Sequence, residues 1–135
     1  MSLEIQQRER EGIVILDAKG RITMGEESGV LRDTAAALTA SGSKNIILNL
    51  AHVDYIDSTG LGALVMCSTS LRKAGGTLKL LNLNRRNVEL LVMTKLATVF
   101  DLYTDEQDAV NSYFPDRAIK TFDILSFVEQ MKKEE

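Results

Sequence analysis

Tryptophan is absent from this 135-residue chain, and histidine, cysteine and proline occur once each, as His52, Cys67 and Pro115. A single cysteine cannot close an internal disulfide, which fits a reducing, cytoplasmic setting. One cysteine and one histidine cannot make up a structural zinc set either. No apolar run approaches the roughly 20 residues needed to cross a bilayer. The N-terminus lacks a basic segment followed by an apolar stretch and a cleavage site, so no direct membrane insertion is expected. An excess of positive charge is also missing, since 16 Lys and Arg stand against 19 Asp and Glu, a formal net charge of -3. No global field draws in a phosphate backbone, and no nucleic-acid partner is expected. The dense basic spots, Arg85-Arg86 and Lys132-Lys133, are each followed closely by Glu and read as solvated surface.

The equipment of an enzyme is thin. His52 lies six residues before Ser58, but no Gly-x-Ser-x-Gly elbow surrounds a nucleophile, so His52 reads as a loop-packing residue. Asp54, Asp57 and Asp101 do not follow the spacing of a calcium loop. Gly60-Leu61-Gly62 lacks the third glycine of a dinucleotide fingerprint, and Gly75-Gly76 lacks the Lys-Ser/Thr of a P-loop. Met24, Met66, Met93 and Met131 read as core filler or exposed singles rather than a cofactor box. No catalytic residue, metal or cofactor is expected.

What is present is the makeup of one globular domain, 44% hydrophobic and 26% charged. Leu3 to Arg8 alternates apolar and polar residues, and Glu11-Gly12 then leads into Ile13-Val14-Ile15-Leu16, which predicts two strands joined by a tight turn. Gly20 should end the second strand. Thr23 is placed to cap a helix carrying Val30, Leu31, Thr34, Ala35 and Leu38, with Gly42 as its stop. Ile46-Ile47-Leu48-Asn49-Leu50 has the continuous apolar character of a mid-sheet parallel strand. Leu61, Leu64, Val65, Ser68 and Leu71 mark a second helix ending near Gly75-Gly76. Thr77 to Leu83 predicts a strand, Asn84 a cap for a short helix burying Val88, Leu91 and Val92, and Val99 to Tyr103 a last short strand. Thr104-Asp105-Glu106-Gln107 has the capping-box pattern before a helix through Ala109, Val110 and Tyr113.

The fold class is therefore α/β: a mixed, mostly parallel sheet of about five strands with about four helices and right-handed crossovers. Pro115 marks the expected boundary between a domain over residues 1–114 and an extension over 115–135. Ile119, Phe122, Leu125 and Val128 suggest one side of an extra helix there, while Ala118, Phe122 and Ile124 also allow an extended strand.

The stretch richest in chemistry is Asp54-Tyr55-Ile56-Asp57-Ser58-Thr59-Gly60-Leu61-Gly62, at the turn between the mid-sheet strand and the next helix. Ser58 can cap that helix by accepting from the amide of Gly60 or Leu61, and a cap alone implies no function. A phosphoryl group on Ser58 would sit where helix amides and dipole favour an anion.

This motif and the order of elements resemble the STAS family, in particular the bacterial anti-sigma-factor antagonists. Asn49-Leu50 through Gly62 matches the family's signature around its phosphoacceptor. Val99 to Tyr103 with the helix to Ala109-Val110 matches its closing segment, and Gly20-Arg21-Ile22 the end of its second strand. The resemblance covers residues 3 to 114 and implies the STAS-like fold. It also implies a partner-switching cycle: the unmodified protein binds an anti-sigma factor that is a serine kinase, the kinase phosphorylates Ser58 and lets go, and a PPM-type, metal-dependent serine phosphatase resets the cycle. By the match, Ser58 is the acceptor, Thr59 a candidate minor acceptor, and Asp57 the acidic residue preceding the acceptor. Asp57, Ser58, Thr59, Gly60 and Leu61, with Thr23 and Met24 in the preceding turn, are the expected partner contacts. Many relatives carry an acidic residue near Thr23, and the extension after Pro115 has no counterpart in the minimal domain. A cytoplasmic accessory subunit of an ABC-type lipid transporter, or a scaffold of a stress-sensing complex, is the alternative on the same fold.

Overall fold

The computed structural model describes residues 3–117, 127–130 and 133, with side chains throughout except at 26–28. The elements β1 (Glu4–Arg10), β2 (Ile13–Ile22), α1 (Glu26–Ala40), β3 (Asn45–Ile56), α2 (Ser58–Lys73), β4 (Thr77–Leu81), α3 (Arg85–Met93), β5 (Asp101–Tyr103) and α4 (Glu106–Asn111) follow one another. They build one five-stranded sheet in the order β1-β2-β3-β4-β5. Only the β1–β2 pair is antiparallel, and its Arg10↔Ile13 register leaves a two-residue turn. Glu11 and Gly12 have φ of 54° and 82°, the paired positive values that suit the twist of a tight hairpin. The remaining pairs are parallel.

Alternation along the strands sorts the core into two layers. On one face Leu16 and Ile22 of β2, Leu48 and Leu50 of β3 and Leu80 of β4 pack with Leu31 and Leu38 of α1 and with Leu61, Leu64 and Leu71 of α2. On the other face Ile13, Ile15, Ile47, Leu81 and Tyr103 meet Ala109 and Val110 of α4. In this smaller layer Lys79 is buried, with Nζ 2.7 Å from Ser112 Oγ and 4.3 Å from the Tyr113 ring centre. Burial lowers its pKa. The Tyr113 hydroxyl lies 2.7 Å from the Thr77 carbonyl and 2.9 Å from that of Ile46, so α4 is pinned to the ends of two strands.

The apolar stripe expected in α2 is buried as spaced, with Val65 half-buried, and Asn84 caps α3 by accepting from the Asn87 amide at 2.8 Å. Several boundaries differ from expectation. β2 does not stop at Gly20: with φ of 118°, that glycine absorbs a register shift and pairing resumes through Ile22. β3 continues to Ile56 because β2 accompanies it, so His52 is an exposed strand residue and not a loop residue. β4 ends at Leu81, where Asn82 turns to φ 60°, and β5 starts only at Asp101. Thr104 is not the cap of α4; Asp105 is, accepting from the Asp108 amide at 3.0 Å.

Beyond Pro115 the Arg117 guanidinium reaches Glu11 at 2.8 Å and covers the Phe114 ring at 4.0 Å. Residues 127–130, including Val128, are helical; Ala118, Ile119, Phe122, Ile124 and Leu125 lie outside the described residues.

Candidate functional site

The carboxyl ends of β2 and β3 meet the start of α2 in a corner held from four directions. The Asp57 amide donates to the Ile22 carbonyl at 3.2 Å, tying the end of β3 to the end of β2. The Asp57 carboxylate accepts from the Gly60 amide at 2.7 Å through Oδ1 and from the Met24 amide at 3.2 Å through Oδ2. Its carbonyl accepts from the Leu61 amide at 2.8 Å, the first bond of the helix. One residue therefore caps α2 and fastens the turn leading into α1.

This corrects two expectations. The cap is Asp57, and Ser58 is the first helical residue. Aspartate and serine are comparable caps, and the backbone chose the one whose second oxygen also meets Met24. Thr23 is not the N-cap residue of α1 either: Gly25 holds that position, with φ of 100°.

Freed from capping, Ser58 is exposed, and among the described residues its hydroxyl makes no hydrogen bond. Thr59 beside it is exposed too. Met24 is 74% exposed, and Thr23 is half-buried. Ser58, Thr59, Asp57, Thr23 and Met24 are thus gathered at one corner. Gly60 and Leu61 share the address but not the surface. Leu61 is buried in the large core layer, and Gly60 packs against the end of β2. A Cβ on Gly60 would lie 2.6 Å from the Ile22 carbonyl carbon and nearer still to its oxygen. Both lie beneath the surface of the corner.

Gly62 differs from Gly60. It is exposed inside α2, and a Cβ there would meet nothing within 4 Å. With Thr59, Ala63, Met66 and Arg32 it lines a shallow groove between α1 and α2.

The first turn of α2 contains no acidic residue besides its cap, so the helix dipole at Ser58 is opposed only by the Asp57 carboxylate. Among the described residues no group of three or more potential metal ligands occurs. Cys67 is buried, and desolvation raises its thiol to about 11, which keeps it an unreactive thiol at neutral pH. Among the described residues no helix is long and apolar enough to cross a membrane.

The sheet order and the β3–α2 corner are those of a STAS domain. The profile of that family matches residues 4–109, and the chain belongs to it. The anti-sigma-B factor antagonist of Bacillus subtilis (strain 168) is 30% identical over 110 residues, covering 82% of this chain and 99% of that protein. An anti-sigma factor antagonist from Mycobacterium paratuberculosis superposes with a TM-score of 0.72 at 21% identity, over 82% of this chain and 92% of that one. The phosphorylated form of the Bacillus cell fate determinant SpoIIAA does so with a TM-score of 0.63 at 18% identity, over 82% and 99%. These last two likenesses are of fold.

Proposed function

We propose that this chain is an anti-sigma-factor antagonist, a non-catalytic module that binds an anti-sigma factor and is switched by phosphorylation of Ser58. The observation that carries the reading is the exposed Ser58 hydroxyl, free of hydrogen bonds among the described residues, on a corner whose backbone is held by Asp57. Support comes from the B. subtilis relative, which matches over nearly its whole length. In this reading the partner is also the serine kinase, and a PPM-type phosphatase restores the hydroxyl. Ser58, Thr59 and Met24 supply contact surface, and Asp57 and Gly60 hold it in shape.

The physics of the switch is a difference between two environments. A phosphoryl group adds a charge of about -1.5 to -2 at neutral pH. In the free protein it sits at a helix N-terminus, which offsets about 0.3 to 2 kcal/mol of its cost. In a complex, a like charge about 6 Å away at an effective dielectric near 20 opposes it by about 3 kcal/mol per unit charge. That is about a hundredfold in affinity. Desolvating the dianion adds to the penalty.

The test is to incubate the protein with ATP and a serine-kinase anti-sigma factor from the same organism, then locate phosphate by mass spectrometry. Phosphate on Ser58 is expected, with Ser58→Ala unmodified. Ser58→Asp should bind the kinase about a hundredfold more weakly while melting within a degree or two of wild type. A Ser58→Asp protein that binds as tightly as wild type would overturn the switch.

A further inference from the structure

The register Arg21↔Tyr55 and Ile22↔Ile56 places Arg21 and Tyr55 side by side on neighbouring strands. Each directly precedes a residue of the large core layer, Ile22 and Ile56, and both are themselves half-buried. Arg86, in the first turn of α3, lays its guanidinium over the Tyr55 ring at 4.5 Å. Two arginines thus flank one tyrosine, three residues before Ser58 and no more than about 11 Å from it along the chain.

These arginines differ from most others in the molecule. Arg8, Arg10, Arg85 and Arg117 each face a carboxylate. Among the described residues Arg21 and Arg86 make no hydrogen bond or ion pair, and the Arg21 Nε is closed off from water as well. A shielded N–H without an acceptor is costly and rare in folded proteins. Arg86 also stands at the positive end of a helix whose first turn holds no acidic residue, where a cation is disfavoured. Exposed Lys19 lies two residues before Arg21 and pairs with exposed His52. Asp17 lies close enough to His52 to interact with it, so among the described residues it is the guanidiniums of Arg21 and Arg86 that stand without a carboxylate, in a chain of net charge -3.

We propose that Arg21, Tyr55 and Arg86 form a docking surface for an acidic segment of the protein that binds the Ser58 corner. The identity of that protein rests on the function proposed above; the surface itself does not. Carboxylates fit because guanidinium forks take them bidentately, and Tyr and Arg are the side chains enriched at protein interfaces. A nucleic acid fits worse, because a polyanion would meet the negative remainder of the molecule.

Two measurements on the full chain test this. In the first, a hexaglutamate peptide is titrated into labelled protein and followed by NMR. Shifts are expected at Arg21, Tyr55 and Arg86, lost in Arg86→Gln and at about 0.3 M salt. Absence of these shifts, or tighter binding there of phosphatidylserine vesicles or a short oligonucleotide, would overturn the acidic-peptide assignment. In the second, the serine-kinase anti-sigma factor is bound to wild type, Arg86→Gln and Arg86→Glu. Association is expected to slow by about tenfold in Arg86→Glu, less in Arg86→Gln, with unchanged melting temperatures. A kinase that binds all three equally overturns the docking surface and leaves the Ser58 reading intact. A kinase that ignores wild type overturns the Ser58 reading, and the peptide titration then decides the surface alone.

Discussion

The Ser58 corner and the clasp between the β1–β2 hairpin and α4 are both held by carboxylates, but in different ways. At the corner Asp57 accepts from two backbone amides, and Gly60 lies flush against the Ile22 carbonyl. In the clasp, Arg8 meets both Asp17 and Glu106, Arg10 joins it on Glu106, and Arg117 ties the chain after Pro115 to Glu11. The corner is built from main chain and exclusion of volume, so its shape is nearly independent of salt. The clasp is built from long, partly exposed side chains, whose contribution is screened and titratable. A surface that must present one hydroxyl in one orientation is of the first kind, and a fastening at the rim can be of the second.

The sharpest way to break the comparison is Gly60→Ala. The added methyl collides with backbone that cannot move without parting β2 from β3, so a loss of about 3 kcal/mol or more is expected in denaturant unfolding. A variant that melts like wild type would show the corner to be soft. Next comes Asp57→Ala, which removes the cap of α2 and leaves the Met24 and Gly60 amides without their acceptor. A loss of about 1–2 kcal/mol is expected, with Asp57→Asn retaining more because its amide oxygen still accepts.

The clasp should yield less, and to different conditions. Hydrogen bonds from Arg8 hold Glu106 below its usual 4.5 and Asp17 below its usual 3.8. Arg117 lowers Glu11 likewise. Carboxylates depressed in the folded state add stability above their unfolded values and lose it as pH falls through the folded ones. Melting temperature should therefore decline below about pH 4.5, and Arg8→Gln should flatten that decline while costing about 1 kcal/mol at neutral pH and low salt. An acid slope unchanged in Arg8→Gln would move the titration elsewhere.

The smallest effect has the opposite sign. Gly62 sits in open space within α2, so Gly62→Ala should stabilise the free protein by about 0.5–1 kcal/mol through helix propensity. Two glycines two residues apart would then differ in the direction of their response, which thermal melts read directly.

The pattern of residues made much of this legible. The α2 stripe, the Asn84 cap and the Glu11-Gly12 turn are local, and local chemistry places them well. The errors cluster where two neighbouring residues offer the same chemistry. Ser58 and Asp57 can each cap α2, and Thr104 and Asp105 can each cap α4. At the first of these corners Met24, 33 residues away in the chain, adds a second bond and breaks the tie. The true ends of β2 and β3 were missed because each continues only while the other pairs with it. The Arg85-Arg86 pair is exposed, as a solvated surface should be, but nothing nearby in sequence says that one arginine finds Glu89 while the other lies over an aromatic ring.

Amino-acid order alone determined the alternation of strands and helices, the buried stripes and the Asp57-Ser58-Thr59-Gly60 turn, because periodicity and turn chemistry act over a few residues. Tertiary structure alone decided which side chain closes the helix and which hydroxyl stays open, and it left Arg21 and Arg86, beside Tyr55, without counter-ions among the described residues. Those outcomes depend on groups brought together from β2, β3, α2 and α3, and the free energy of such a meeting is not written in any one segment.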